Sequence, residues 1–141
     1  MGLRSKIFAA TYDRMSRANE EAGVRALREG LLAGASGRVL EIGAGTGANL
    51  PRYNGNLEAI VVTEPDTEML SRLQQNASGH AAPIEVVQAP AEALPFEDDS
   101  FDTVVSTLVL CGVEDQSQAL REAQRVPVSY THLTLPTIYS V

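Results

Sequence analysis

Cysteine, tryptophan and basic residues are all scarce in this chain. Its 141 residues include one cysteine and no tryptophan. A single cysteine excludes an internal disulfide framework and is typical of a reducing compartment. Eleven lysines and arginines stand against eighteen acidic residues, which gives a formal net charge of -7. Proteins that neutralise nucleic-acid phosphates need a basic stripe, so the sequence predicts no nucleic-acid partner.

Long hydrophobic runs are missing as well. No segment approaches the roughly 20 apolar residues that a transmembrane helix requires. The opening MGLRSK lacks the apolar core of a secretory signal, and Lys6 stands where the myristoylation pattern requires Ser or Thr. We therefore expect a cytoplasmic protein without a transmembrane segment. The length allows at most one domain.

The chain contains an alternation of helical and strand-like segments. Apolar residues at helical spacing predict N-terminal helix over about residues 5–33, with Gly23 as a candidate point of interruption. Apolar, β-prone runs predict strands at 38–42, 57–63, 84–87 and 101–110. Further helices are expected at 48–53, 67–76 and 116–126, with Asp66 capping the second and Asp115 or Ser117 the third. This order predicts an α/β fold, a Rossmann-like doubly wound parallel sheet.

A glycine-rich loop follows the first predicted strand. Gly43, Gly45 and Gly47 occupy alternate positions, and Glu41 stands two residues before the first of them. Glycine lacks Cβ and adopts positive φ, so a ligand can approach the backbone there. The crevice at the carboxyl end of such a strand is where open α/β sheets bind nucleotides. The loop therefore predicts an adenosine-type cofactor.

Two kinds of cofactor compete for this loop. Gly43, Gly45 and Ala48 satisfy the dinucleotide fingerprint, and Glu64 stands at the distance of its ribose-binding acid, so an NAD(P)-dependent oxidoreductase is an alternative. Against it, Glu41 occupies a strand position where that fingerprint is apolar, and the glycines continue through Gly47. Segments 91–96 and 101–105 also have no counterpart in it. A non-catalytic cofactor-binding fragment is a third alternative.

The motifs together resemble the class I S-adenosylmethionine-dependent methyltransferases that act on small molecules, with the methyltransferase type 11 domain. The resemblance covers residues 7–126. Residues 39–47, VLEIGAGTG, match the first motif of the family, and residues 61–66, VVTEPD, match its second-strand motif. TLVLCGV, VQAPAE and KIFAATYD are most similar to the methyltransferase-like thiol S-methyltransferase branch. Quinone-biosynthesis and phospholipid N-methyltransferases have similar patterns, so the resemblance implies a thiol, a quinone precursor or a lipid headgroup as acceptor.

The same resemblance implies residue roles. Glu64 binds the ribose diol, Glu41 lies near the ammonium group of the cofactor, and Tyr12 folds over the cofactor as part of a lid. The backbone at Ala91 and the adjacent Glu92 read the adenine edge, although many family members have Asp where this chain has Pro90. No catalytic residue and no metal ligand is assigned. The predicted cofactor-binding set is Tyr12, Glu41, Gly43, Ala44, Gly45, Thr46, Gly47, Asn49, Glu64, Pro65, Asp66, Ala91, Glu92 and Thr107.

The last fifteen residues differ from the rest of the chain. Residues 127–141 carry no formally charged side chain, and VSYTHLTLPT at 128–137 resembles a translated sequencing-library adapter. We therefore predict a methyltransferase domain over residues 1–126, incomplete at its C-terminus, followed by a non-native tail. Family members continue there with a Pro-Gly-Gly turn and further strands. Without them, we expect the fourth strand to be an unprotected edge and the chain to bind cofactor weakly with little turnover.

Overall fold

The computed structural model describes residues 3–19, 23, 25–107, 112–128 and 132–135. These residues form four α-helices and five β-strands. The helices are α1 (Leu3–Asn19), α2 (Arg25–Leu32), α3 (Thr67–Asn76) and α4 (Gln116–Arg125). The strands are β1 (Arg38–Ile42), β2 (Ala59–Thr63), β3 (Ile84–Val87), β4 (Thr103–Thr107) and β5 (His132–Leu135). A short 3-10 helix covers Leu50–Arg52.

All five strands are parallel and form one sheet in the order β3-β2-β1-β4-β5. Leu40 of β1 sets the register, because it lies beside Val61 of β2 on one side and Val104 of β4 on the other. The direction of winding reverses between β1 and β4, and ligands bind at such a reversal, beyond the carboxyl ends of the strands. The predicted Rossmann-like doubly wound α/β fold is confirmed.

Each face of the sheet buries its own apolar cluster. Both faces of the sheet are covered, which is why its central strands are rich in apolar residues. One cluster contains Val39, Ile60, Val62 and Val105 together with Leu50, Tyr53 and Leu73. The other contains Leu40, Ile42, Val61 and Val104 together with Phe101, Ala119 and Ala123. The two clusters hold β1 rigidly, and the glycine loop begins where β1 ends.

Two of the predicted helices differ in extent from the structure. The region expected to be helical over 5–33 contains two helices, α1 and α2, and Gly23, the candidate point of interruption, lies between them with a φ of +100°. The helix expected over 48–53 is shortened to Leu50–Arg52, with Pro51 in its first turn. Proline is tolerated at such a position, because the N–H groups of a first turn have no partner within the helix. The helix over 67–76 and the strands over 38–42 and 84–87 have the predicted bounds.

The C-terminal segment adds a strand that the sequence did not predict. Residues 132–135 pair in parallel with β4, from Val104 beside His132 to Thr107 beside Leu135. The expectation that the fourth strand is an unprotected edge is therefore wrong, because β5 satisfies the backbone groups on its outer side. The assignment of 127–141 as non-native stays a prediction. Residues 108–110 of the predicted fourth strand, and Cys111, lie outside the described residues.

The start of α4 gives a direct test of the local capping argument. Asp115 Oδ1 accepts a hydrogen bond from the backbone N–H of Gln118 at 3.0 Å, so Asp115 and not Ser117 is the N-cap. We expect Asp115→Ala to lower the free energy of unfolding by about 1 kcal/mol. Ser117→Ala, inside the first turn, is the matched control and should leave it nearly unchanged. Urea denaturation measures both, and equal losses in the two variants would contradict this assignment.

Candidate cofactor site

A cavity of about 490 Å³ lies at the carboxyl end of the sheet. This volume is within the roughly 300–1,000 Å³ of typical small-molecule pockets. Its walls are the glycine loop after β1, the turn between β2 and α3, the segment after β3, and one face of α1. Eight of the predicted cofactor-binding residues line it: Tyr12, Gly43, Gly45, Glu64, Pro65, Asp66, Ala91 and Glu92.

The glycine loop has the open backbone that the sequence predicted. Gly43, Gly45 and Gly47 have φ values of +63°, +61° and +93°, a region that side-chain-bearing residues rarely adopt. A Cβ at Gly45 would lie only 3.2 Å from Cε1 of Tyr12. A Cβ at Gly47 would lie 2.8 Å from Cδ1 of Leu50. The loop therefore packs tightly between α1 and the core and presents backbone to the cavity.

Glu64 follows β2 and has its carboxylate beside this loop. Oε2 accepts from the backbone N–H of Gly45 at 2.9 Å, and Oε1 accepts from that of Asp66 at 3.0 Å. Burial raises the pKa of Glu64, and the two backbone donors partly oppose that rise. An ionised carboxylate has about four acceptor sites, so capacity remains for two further donors. The hydroxyls of a ribose diol fit that capacity.

The charge of the cavity lining has one sign. Four of the lining residues are acidic, and no lysine or arginine is among the described residues that line the cavity; the acids are Glu64, Asp66, Glu92 and Glu114. A cleft lined by one sign of charge raises the local concentration of ligands with the opposite sign. The site therefore favours a cationic ligand.

Glu41 lies behind the glycine loop and does not line the cavity. Its side chain is 2% exposed, and its two oxygens accept hydrogen bonds from Tyr53 Oη at 2.6 Å and from Asn49 Nδ2 at 3.1 Å. Burial raises the pKa of Glu41 to about 7, against the lowering effects of these two bonds and of the Arg28 charge. Both oxygens of Glu41 therefore already have protein donors. Its predicted position near the ammonium group of the cofactor stays a prediction.

Asn49 and Thr107 belong to the same buried network. Asn49 Nδ2 donates to Thr107 Oγ1 at 3.0 Å, and Arg28 Nη1 donates to Asn49 Oδ1 at 2.7 Å and to Thr107 Oγ1 at 3.4 Å. The network therefore joins β1, β4 and α2 beneath the glycine loop.

Sequence reasoning missed Arg28 and Tyr53, although α2 carried a signal for the first of them. Arg28 and Leu32, four residues apart, are 5% and 2% exposed, whereas Leu27 is 49% exposed. A helix places residues four apart on one face, so an arginine in register with a buried leucine indicates a buried partner.

The remaining predicted residues support the loop from outside the cavity. Ala44 N–H donates to the carbonyl of Thr63 at 2.8 Å, and the carbonyl of Thr46 accepts from Asn76 Nδ2 at 2.6 Å. Gly47 contacts the core. In all, six predicted residues lie behind the cavity lining: Glu41, Ala44, Thr46, Gly47, Asn49 and Thr107.

The described residues contain neither a metal-binding cluster nor a membrane-spanning helix. No group of three or more His, Cys, Asp or Glu side chains there is arranged to hold a metal ion. None of the helices in the described part of the chain is long and apolar enough to cross a membrane.

Comparison with known proteins gives concordant matches in sequence. Residues 40–129 match a family model described as a methyltransferase domain. The chain is 43% identical over 104 residues to the ubiquinone/menaquinone biosynthesis C-methyltransferase UbiE of Hahella chejuensis, which covers 70% of this chain and 41% of that protein. The protein of the same name from Xanthomonas campestris is 42% identical over 94 residues, 63% of this chain and 37% of that one. The chain thus spans about two fifths of the length of these relatives.

Solved structures agree with this result. The YcgJ protein of Bacillus subtilis is 31% identical, with a TM-score of 0.61 over 66% of this chain and 40% of its own. A SAM-dependent methyltransferase from Thermotoga maritima is 27% identical, with a TM-score of 0.64 over 86% of this chain and 56% of its own. The chain is therefore similar to methyltransferases in sequence and in backbone.

The buried position of Glu41 predicts an unusual dependence of stability on pH. Its pKa in the folded state, about 7, lies above the ordinary value of 4.5, so the folded state binds the proton more tightly. The resulting stabilisation is fully present below pH 4.5 and is lost as the pH rises through 7. The loss is on the order of 3 kcal/mol. Glu41→Gln cannot ionise and should lack this loss.

Urea denaturation of both proteins at several pH values from 5 to 8 measures the effect. The difference in unfolding free energy between wild type and Glu41→Gln should move in favour of the variant as the pH rises. Glu58→Gln makes the same chemical change at an exposed position and should follow the wild type. If the curves for wild type and Glu41→Gln stay parallel across this range, Glu41 does not titrate as its burial requires.

Proposed function

The chain belongs to the methyltransferase domain family, its cofactor is S-adenosylmethionine, and from this premise we propose that it is the cofactor-binding part of an enzyme that methylates a carbon atom of a quinone precursor. The match to the methyltransferase domain over residues 40–129 supports the methyl-transfer part, and the position of Glu64 is the structural observation that carries the binding of an adenosine-type cofactor. Its carboxylate lies beside the glycine loop, with two oxygens held by backbone N–H groups and with capacity for a diol. The quinone part rests on the relatives.

The proposed roles follow the lining of the cavity. Glu64 accepts hydrogen bonds from the ribose hydroxyls, and charged acceptors make the stronger bonds of this kind. The backbone of Gly43 and Gly45 lies against the methionine part, and Ala91 with Glu92 borders the adenine. When bound, the cofactor supplies a methyl group that its positive sulfur has already activated.

The acidic lining supports this cofactor over the nicotinamide alternative. The pyrophosphate of a dinucleotide is anionic, and it would have to enter a cavity lined by four acidic residues and by no described basic residue. Like charges in a low-dielectric cleft repel strongly. A sulfonium cation meets the opposite sign of charge, so the same acidic residues favour it.

Methyl transfer demands alignment more than acid–base chemistry. The nucleophile, the methyl carbon and the sulfur must lie in line, and holding reactants in such geometry supplies roughly 7–11 kcal/mol. Phe8 and Tyr12 border the cavity from α1. No general base is assigned among the described residues.

The choice of acceptor is supported by the two C-methyltransferases at 43% and 42% identity, whose names place them in ubiquinone and menaquinone biosynthesis. A thiol acceptor remains an alternative. It rests on the resemblance of residues 107–113, of which 108–111 lie outside the described residues. A lipid headgroup has no further support.

Calorimetry of the 141-residue chain tests the function class. We expect binding of S-adenosylhomocysteine and none of NADH at the same concentration. Binding of NADH alone would favour an oxidoreductase, and binding of neither would favour an inert fragment. A single-turnover assay with labelled S-adenosylmethionine, a short-chain naphthoquinol and an alkylthiol then tests the acceptor. Label on the thiol and not on the quinol would contradict the quinone proposal.

Glu64→Gln tests the ribose contact directly. The variant keeps the size of the side chain but replaces one acceptor by an NH₂ group and removes the charge. We expect the affinity for S-adenosylhomocysteine to fall about 10- to 100-fold, as for loss of a charge-assisted hydrogen-bond pair. Glu85→Gln, an exposed acid on β3, is the matched control and should bind like the wild type. Unchanged affinity in Glu64→Gln would show that Glu64 does not hold the ribose.

A further inference from the structure

Among its described side chains, helix α1 buries little apolar surface against the rest of the structure. Leu3, Ile7, Phe8 and Met15 are each more than half exposed, and Ala9 is the buried apolar residue among the described side chains of this helix. Burial of large apolar side chains is the main source of stability for a packed helix. α1 therefore depends on polar contacts, and elements held in this way are drawn from the less stable end of a protein.

The principal polar contacts converge on Asp13. Its Oδ1 accepts a hydrogen bond from Thr46 Oγ1 at 2.6 Å, and its Oδ2 forms an ion pair with Arg72 Nη1 at 2.7 Å. Thr46 belongs to the glycine loop and Arg72 to α3. One carboxylate therefore joins α1 to the glycine loop and to α3. Ser5 makes a longer contact to Asp66, at 3.3 Å.

Asp13 adjoins the residue that covers the glycine loop. Tyr12 lines the cavity, and its ring lies 3.2 Å from the place a Cβ would occupy at Gly45. Phe8, one turn earlier on α1, also lines the cavity. Asp13 itself does not. Its two bonds fix the helix that carries both rings, so its influence on a ligand passes through α1.

We infer that Asp13 is a positioning residue that latches α1, with Tyr12 and Phe8, over the bound cofactor and thereby sets the rate of cofactor release. The inference rests on the proposed function, because it takes the cavity to be the S-adenosylmethionine site. Helices and loops that close over a site commonly limit release of what is bound there. Opening α1 requires both bonds of Asp13 to break, whereas the contacts of Glu64 with the glycine loop stay intact.

The test compares release of S-adenosylhomocysteine from wild type, Asp13→Ala and Arg14→Ala by surface plasmon resonance. We expect Asp13→Ala to raise the dissociation rate constant about tenfold, as for loss of two bonds to a charged group. Arg14→Ala, at the exposed neighbouring position on the same helix, should behave as wild type. Alanine forms helix better than aspartate, so faster release in Asp13→Ala does not come from lower helix propensity.

Amide hydrogen exchange separates a latch from general destabilisation. Adding S-adenosylhomocysteine to wild type should slow exchange in α1, α3 and β1, whereas in Asp13→Ala the protection should vanish in α1 alone. Asp13→Glu keeps the carboxylate and should recover most of the slow release. If Asp13→Ala does not fold, Arg72→Met removes one of the two bonds and should give a smaller rise in the release rate.

The outcomes distinguish this inference from the proposed function. Normal binding of S-adenosylhomocysteine with an unchanged release rate in Asp13→Ala would overturn the latch and leave the proposed function standing. Loss of protection spread over all elements would also overturn it, because Asp13 would then be a general structural residue. Absence of binding to the wild type would overturn the proposed function and the latch together.

Discussion

The burial of Glu41 beneath the glycine loop is the constraint on which the site depends. A buried carboxylate is costly unless its oxygens are hydrogen-bonded. Tyr53 and Asn49 supply those bonds, and Asn49 is itself held by Arg28 and Thr107. The hydrogen bonds that Glu41 requires therefore bring together the end of β1, the 3-10 segment, α2 and the end of β4. These elements support the glycine loop from below.

The two buried acids of the site, Glu41 and Glu64, have different roles. Glu41 and Glu64 both have pKa values raised by burial, but their partners differ in kind. Both oxygens of Glu41 accept hydrogen bonds from side chains, so Glu41 links the elements that support the glycine loop. Each oxygen of Glu64 accepts one hydrogen bond from a backbone N–H group, so each can accept a further hydrogen bond from a ligand. Because backbone N–H groups already hold Glu64, its side chain loses little conformational freedom when a ligand binds, which is the usual advantage of a preorganised site.

Stability is distributed unevenly around the cavity. The floor consists of strands with fully buried valines and isoleucines, whereas α1 exposes most of its large apolar side chains and is held by a few polar contacts. The glycine loop lies between these two parts, packed on Leu50 below and on Tyr12 above. A fixed floor with a more weakly attached cover suits a site that must hold a cofactor in one geometry and later release the product.

The sequence by itself determined what local patterns control: β1 and β3, α3 with Asp66 as its cap, the glycine loop, and Glu64 directly after β2. Strand periodicity, capping and positive φ are properties of a few neighbouring residues. Packing between distant elements determines the remaining contacts. These are the side chains that donate hydrogen bonds to Glu41, the bond between Arg28 and Thr107, the bond between Asp13 and Thr46, and the pairing of β5 with β4. Those pairs lie 79 and 33 positions apart for Arg28 and Asp13, so packing alone selects them.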